Sequence, residues 1–206
     1  MNDKEIFIDS LQKIGINPTQ TQLKACDIYV NNLTKWQKKI NLVGATTLKK
    51  PYTRHLLDSA QLIPLVPRGT LLDVGSGAGL PGLILSIFID NPITLCERIS
   101  KKTSFLSDTI RKLSLEERCR VLATDVAYLD EAYDVITGRA VTNISKFLSL
   151  TLKQRKDDTL YILQKGKGVE DELNAASKKW NFDSTLHNSA VDLESKVLLL
   201  SNVCEK

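Results

Sequence analysis

The segment that most constrains the fold of this chain spans residues 71–82 and reads LLDVGSGAGLPG. A short apolar run that contains Asp73 leads into three alternating glycines and then into an apolar, helix-like stretch. This pattern is typical of a strand that turns sharply into a helix around a nucleotide-like cofactor. It therefore predicts an α/β fold and also the place in that fold where a ligand binds.

From about residue 70 onward, strand-like and helix-like segments alternate. The predicted strands are 70–74, 93–97, 119–123, 133–137 and 159–163, and the predicted helices are 80–89, 100–113, 143–153 and 168–179. A last apolar run at 197–200 predicts a final strand, paired antiparallel with residues near 184–188 at the sheet edge. Such alternation implies crossover connections, and hence a mostly parallel seven-stranded sheet with helices on both faces.

The chain before this region has a helical pattern only. Apolar residues recur at helical spacing over 4–14, in a long helix that begins near Pro18, and in a further helix at roughly 51–63. We predict that residues 1–66 form an N-terminal helical extension packed on a core of residues 67–206. At 206 residues the two parts form a single structural domain.

Composition excludes several classes of protein. The four cysteines form no C-x-x-C pair and no histidine cluster accompanies them, so neither a metal site nor a disulfide framework is predicted. No basic-then-apolar leader begins the chain, and no apolar run approaches the ~20 residues that span a bilayer. We expect a cytoplasmic protein with no membrane partner, and the net charge of +4 is compatible with an anionic partner.

Two kinds of ligand fit the glycine loop. Gly77, Gly79 and Gly82 match the G-x-G-x-x-G pattern of dinucleotide sites, which makes a nicotinamide-dependent oxidoreductase one possible class. S-adenosylmethionine shares the ribose but carries a cationic amino group and sulfonium, and these favour an acid such as Asp73 at the end of the first strand. Glu97 ends the second strand, where an acid meets ribose hydroxyls in both cases. Asp73 therefore favours the methyl donor.

Further candidates follow later strands. Asp125 comes after the third strand, where the backbone of Val126 and Ala127 lies in position to meet an adenine edge, although an exposed loop acid is an equal interpretation. Arg139 follows the fourth strand and is suited to holding phosphate or stacking on a base. A basic rim around the same crevice is predicted to neutralise nucleic-acid phosphates, and it includes Arg54, Arg98, Lys101, Lys102, Lys165 and Lys167.

The sequence assigns no catalytic acid or base. His55 has no visible nucleophile beside it, so a structural hydrogen bond is the favoured interpretation of that residue. No Ser-His-Asp order and no paired carboxylates indicate hydrolysis. Arg139 is the only candidate for positioning the reacting groups.

Several segments together resemble the bacterial RsmG (GidB) methyltransferases, which methylate N7 of a guanine in small-subunit ribosomal RNA. The resemblance covers about residues 35–168, and its most specific parts are the Arg-His-x-x-Asp-Ser block at 54–59 and the Gly-Leu-Pro-Gly ending at 79–82. Other matching segments are Lys39–Val43, Lys101-Lys102, Ile136–Ala140 and Leu163–Gly166. The family commonly has a basic residue and then an acid around 125–127, so contacts there are expected from backbone groups.

The resemblance implies a Rossmann-like class I S-adenosylmethionine-dependent methyltransferase. Its implied partner is 16S ribosomal RNA in the small subunit or in an assembly precursor. Donor contacts carry over to Gly75, Leu80, Val126, Ala127 and Arg139, and Asp73, Gly77 and Glu97 join them from the loop chemistry. With RNA as the partner, the candidate RNA contacts are Arg54, His55, Lys101, Lys102, Lys165 and Lys167. An RNA-binding protein that has lost activity is a further alternative.

Overall fold

A computed structural model describes residues 1–206. Its seven strands are β1 Leu71–Val74, β2 Ile93–Cys96, β3 Cys119–Leu122, β4 Tyr133–Arg139, β5 Arg155–Lys165, β6 Trp180–Asn188 and β7 Lys196–Glu205. They form one sheet in the order β3-β2-β1-β4-β5-β7-β6. Strands β1 to β5 are parallel, whereas β7 pairs antiparallel with both β5 and β6. The predicted mostly parallel seven-stranded sheet is confirmed.

The strand order reverses between β1 and β4. The chain runs outward from β1 through β2 to β3 and then returns to place β4 on the other side of β1. In open parallel sheets, ligands bind outside the carboxyl ends of the strands at this reversal. The loops after β1, β2, β3 and β4 therefore define where a cofactor is expected.

The helices are α1 Asp3–Lys13, α2 Gln20–Gln37, α3 Asp58–Ala60, α4 Gly82–Phe88, α5 Ser100–Leu113, α6 Ile144–Leu150 and α7 Val169–Ala176. One prediction is wrong in its detail: the helix expected at roughly 51–63 is not a regular α-helix. It consists of a π-helical stretch at Tyr52–Leu57, the short α3, and a 3₁₀ turn at Ile63–Leu65 that contains Pro64. A proline has no N–H for an α-helical bond, which accounts for the break near residue 63.

The N-terminal helices share a core with the sheet. Phe7, Leu33 and Leu71 are all fully buried in one hydrophobic cluster. Tyr29 of α2 is also buried, and its hydroxyl donates a hydrogen bond of 2.8 Å to the carbonyl oxygen of Ala78 in the glycine loop. Helix α2 therefore supports the loop from behind. None of the helices combines the length and the apolar character that a membrane crossing requires.

Candidate active site

The glycine loop folds onto the end of the neighbouring strand. The amides of Gly75 and Ser76 donate to the carbonyl oxygen of Cys96, at 2.8 and 3.1 Å. The Gly77 amide donates to Oε2 of Glu97 at 3.0 Å, and the Ile99 amide donates to Oε1 of the same carboxylate at 2.8 Å. Gly77 has φ of +56°, a conformation that L side chains rarely adopt. Glu97 thus ties the glycine loop to the end of β2 through Oε2, while Oε1 holds the segment that leads into α5.

Asp73 lies beneath the loop and is fully buried. Its Oδ2 accepts a hydrogen bond of 3.0 Å from the Gly82 amide at the start of α4, while Oδ1 has no partner. A Cβ at residue 82 would come within 2.7 Å of the Asp73 Cβ, so only glycine fits there. Burial raises the pKa of Asp73 to about 7. The direct donor contact predicted for Asp73 stays a prediction, and the observed contact holds α4 against β1.

A cavity of about 430 Å³ opens between the glycine loop and the ends of β2, β3 and β4. We call it the donor cavity, and Gly75, Glu97, Asp125, Val126 and Arg139 are among the residues that line it. Its acids suit ribose hydroxyls and a cationic amino group, and its apolar walls suit an adenine ring. The residues present therefore fit S-adenosylmethionine.

Three other predicted donor residues, Gly77, Leu80 and Ala127, do not line this cavity. Gly77 turns its amide to Glu97, and Leu80 is buried in the core. The Ala127 amide donates to Oδ1 of Asp125 at 3.1 Å, in a short 3₁₀ turn. The contacts predicted for Gly77, Leu80 and Ala127 stay predictions, and the structure places these residues where they shape the loops.

A second opening of about 540 Å³ lies on the opposite side of the β4 carboxyl end. We call it the acceptor crevice. Its lining includes Arg54, His55, Asp58, Arg139, Gln164 and Lys165. The segment 139–142 lines both openings, so they share one wall. Two substrates that react must come within a few ångströms of each other, so ligands held in these two openings would have to meet at the edge of this wall.

The Arg139 side chain stands at this wall in an ion pair. Its Nη1 lies 2.9 Å from Oδ2 of Asp58, and both side chains are more than three-quarters buried. Burial raises the pKa of Asp58, and the Arg139 guanidinium opposes that shift. The positive charge predicted at the end of β4 is present, and a carboxylate from α3 fixes its position.

The structure brings together only part of the predicted basic rim. Arg54, His55 and Lys165 line the acceptor crevice, whereas Lys102 lines the donor cavity. The remaining predicted RNA contacts, Lys101 and Lys167, line neither opening, and the exposed Lys167 pairs with Glu194 at 3.2 Å. Nζ of Lys165 is mostly buried in an ion pair of 2.6 Å with Glu172. The RNA contacts assigned to these residues stay predictions.

Sequence reasoning gave no role to two residues of this crevice. Asp58 follows His55 by three positions, a spacing that puts both side chains on one helical face. Gln164 ends β5 beside β4, and the carboxyl ends of neighbouring parallel strands meet at one edge of the sheet. These two signals were sufficient to place both residues at the site.

No group of three or more His, Cys, Asp or Glu side chains is arranged to hold a metal ion.

Comparison with solved structures places this architecture among methyltransferases. A putative O-methyltransferase from Klebsiella pneumoniae superposes with a TM-score of 0.59 at 12% identity, covering 95% of this chain and 96% of that one. A SAM-dependent methyltransferase from Aquifex aeolicus gives 0.57 at 17% identity, with 82% and 96% covered. The chain therefore has the fold of class I methyltransferases, as the sequence predicted.

Sequence comparison identifies the family. The model of the rRNA small subunit methyltransferase G family (GidB) matches residues 22–200. The Ribosomal RNA small subunit methyltransferase G of Paramagnetospirillum magneticum is 34% identical over 203 residues, which is 94% of each chain. The protein of the same name from Methylobacterium sp. is 35% identical, over 88% of this chain and 89% of its own length. The chain belongs to the rRNA small subunit methyltransferase G family. Membership favours the methyltransferase over the oxidoreductase and over an inactive RNA-binding protein.

Proposed function

We propose that this protein transfers the methyl group of S-adenosylmethionine to N7 of a guanine in 16S ribosomal RNA. Its partner is the small ribosomal subunit or an assembly precursor of it, and the place of action is the cytoplasm. The observation that carries the proposal is the shared wall at residues 139–142, which separates an acid-lined donor cavity from a polar crevice with basic side chains. Family membership supplies the class of RNA.

The chemistry suits a site without a general base. S-adenosylmethionine supplies a methyl group made electrophilic by a positively charged sulfur. Guanine N7 has a free lone pair at neutral pH, so the protein removes no proton before the N–C bond forms. What the protein must supply is alignment, which lowers barriers by ~7 kcal/mol or more in well-oriented reactions. In this proposal, the mostly buried ion pair of Arg139 and Asp58 lies beside the position where the methyl group is transferred.

The type of RNA target follows from groove geometry. In A-form RNA the major groove that displays N7 is too deep and narrow for side chains to enter. The acceptor must therefore be an unpaired or splayed guanine that enters the crevice. Basic residues at the mouth, including Arg54 and Lys196, are suited to the flanking phosphates.

The decisive experiment is mass-spectrometric mapping of 16S ribosomal RNA from a strain that lacks this gene. We expect one 7-methylguanosine to disappear and to return when the gene is supplied on a plasmid. Retention of every 7-methylguanosine in the deletion strain would remove the proposed activity.

A matched pair of variants tests the donor cavity. Gly77 and Gly15 both have positive φ, and a Cβ at either position meets no atom closer than 3.7 Å. Gly77→Asp puts a carboxylate beside Glu97 at the glycine loop, whereas Gly15→Asp creates similar backbone strain after α1. In isothermal titration calorimetry with S-adenosylmethionine, Gly77→Asp should lose binding and Gly15→Asp should keep it. Normal affinity in Gly77→Asp contradicts the loop assignment.

A further inference from the structure

Two of the four buried acceptor atoms that have no hydrogen-bond partner belong to residues that line the acceptor crevice. His55 is 4% exposed and Gln164 is 7% exposed, and both line this crevice. Neither the His55 Nδ1 atom nor the Gln164 Oε1 atom has a hydrogen-bond partner. Buried polar groups are nearly always paired, because an unpaired one carries the full cost of its lost hydration. Two such atoms in one crevice point to a ligand that donates hydrogen bonds.

The hydrogen bonds around His55 define which form of its ring is present. The Thr47 hydroxyl has a single proton, which it donates to the Gly44 carbonyl oxygen at 2.6 Å. The 2.8 Å contact between Thr47 Oγ1 and His55 Nε2 therefore requires the proton to be on Nε2. Burial and the nearby charge of Arg139 lower the pKa of His55 to about 4, so the ring is neutral at pH 7. The remaining atom, Nδ1, is a bare acceptor.

The amide of Gln164 is fixed in the same way. Its Nε2 donates a hydrogen bond of 2.8 Å to the backbone carbonyl oxygen of Asp58. A reversed amide would place two carbonyl oxygens against each other, so Oε1 is the free atom. The carboxylate of Asp58 holds Arg139 on one oxygen and accepts from Gln61 on the other. One turn of α3 thus orients both Gln164 and Arg139.

Among the nucleobases, guanine best matches two acceptors that line one crevice. Its Watson–Crick edge carries the N1–H and N2–H₂ donors side by side, on the ring edge away from N7. Adenine also has an N7, but its Watson–Crick edge offers only one donor group next to an acceptor nitrogen. A base held by its Watson–Crick edge leaves N7 free to face another direction, and proteins recognise splayed RNA bases through this edge.

We propose that the acceptor crevice selects guanine, with His55 Nδ1 and Gln164 Oε1 accepting hydrogen bonds from its N1–H and N2–H₂ groups. This inference rests on the proposed function and adds the residues that distinguish guanine from adenine. Asp58 is a positioning residue that holds Gln164 and Arg139. Both acceptor atoms are buried in the free protein, so the proposal requires small side-chain shifts, of the kind common when partners bind, that expose them to the base while the bonds to Thr47 and Asp58 persist.

The test uses small subunits reconstituted with 16S ribosomal RNA that carries either guanosine or inosine at the mapped target position. Inosine keeps N7 and N1–H but lacks the N2 amino group. The wild-type protein should methylate the inosine substrate with a kcat/KM about tenfold to a hundredfold lower, the usual worth of one specific base contact. Two variants, His55→Phe and Gln164→Leu, remove one acceptor each while keeping similar volume. We expect both to have lower kcat/KM on guanosine, and at least one to bring the guanosine-to-inosine ratio close to one.

Gln154→Leu is a matched control. Gln154 is fully buried, its Nε2 donates to the Leu129 carbonyl oxygen, and its Oε1 also lacks a partner, but it does not line the crevice. The control should keep the wild-type ratio of guanosine to inosine rates. Affinity for S-adenosylmethionine, measured by calorimetry, should be unchanged in all three variants and shows that each is folded.

The outcomes separate this inference from the proposed function. If the wild-type protein forms no 7-methylguanosine on the guanosine substrate, the proposed function is wrong. If it does form that product, but treats inosine equally well or keeps its full discrimination in both His55→Phe and Gln164→Leu, the assignment of the two acceptors is wrong.

Discussion

Asp73→Asn is the substitution that best tests the buried charge beneath the glycine loop. The carboxyl group is fully buried, one of its oxygens has no partner, and burial raises its pKa from 3.8 to about 7. In the unfolded chain the same group titrates near its ordinary value. The folded protein therefore binds a proton at Asp73 over the range between about pH 4 and pH 7, where the unfolded chain has released it.

The sign of the effect follows from this difference. Because the folded state holds more protons, the stability contributed by Asp73 is fully present below about pH 4 and is lost as the pH rises toward 7. Each pH unit corresponds to about 1.4 kcal/mol, so the loss over this range is on the order of 4 kcal/mol. Asparagine has the shape of the neutral acid and keeps an acceptor for the Gly82 amide, but it does not titrate.

The assay is urea unfolding of the free protein and of Asp73→Asn at pH 4.5, 6 and 8. Any pH-independent cost of the new amide shifts the variant equally at each pH, so the quantity to compare is the change in the difference. Because the group is already partly ionised in the unfolded chain at pH 4.5, we expect the variant to gain about 3 kcal/mol relative to the wild type between pH 4.5 and pH 8. A difference that stays constant across the range would falsify the reasoning, since it would mean that the charge of Asp73 is compensated in the folded protein.

Three smaller changes test contacts around the loop and the N-terminal helices. Gly82→Ala should destabilise the protein by about 1–3 kcal/mol, because its Cβ would meet the Asp73 side chain at 2.7 Å. Unchanged urea unfolding would show that α4 shifts away from β1 at no cost. Tyr29→Phe leaves the Ala78 carbonyl oxygen without its buried donor, so it should lower the free energy of unfolding by about 1 kcal/mol and weaken S-adenosylmethionine binding. Wild-type affinity in calorimetry would contradict the support of the glycine loop by α2. Thr19→Ala removes the capping box of α2 and should cost about 1 kcal/mol in thermal unfolding with no effect on donor affinity.

The fold was largely predictable from sequence because its signals are local. Alternating apolar runs and glycines located every strand of the parallel sheet to within a few residues, and the antiparallel edge of β6 and β7 was also predicted correctly. The segment 51–63 was less predictable because its conformation depends on distant contacts. The Asp3 carboxylate accepts hydrogen bonds from the Tyr52 amide and the Thr53 hydroxyl, at 2.8 and 2.6 Å, and no local pattern reveals such a partner 49 or 50 residues away.

The location of the site was predictable from the sequence, but the contacts of its individual charged residues were not. Residue type and strand-end position predicted that Glu97 and Arg139 lie at the ligand-binding edge of the sheet, and both line the donor cavity. The ligand contact predicted for Asp73 stays a prediction, and a sequence does not show that this carboxylate also accepts a hydrogen bond from the Gly82 amide beneath the loop. The same reasoning treated Lys165 as a free cation, although that side chain is held by Glu172 across 2.6 Å. Charges that pair with each other in the fold look the same in a sequence as charges that meet a ligand.

The N-terminal helices complete the site and do more than cover the sheet. Tyr29 of α2 supports the glycine loop, while His55 and Asp58 form the acceptor wall, and the Asp3 carboxylate ties α1 to the segment that carries them. The sheet alone supplies the donor cavity and Arg139, but the carboxylate that fixes Arg139 comes from α3. Since both halves of the site depend on contacts between residues 1–66 and the sheet, the extension predicted for those residues has the chemistry of an acceptor-binding element. A core without residues 1–66 would lose the Tyr29 hydrogen bond to the glycine loop and, at the acceptor crevice, His55 and Asp58.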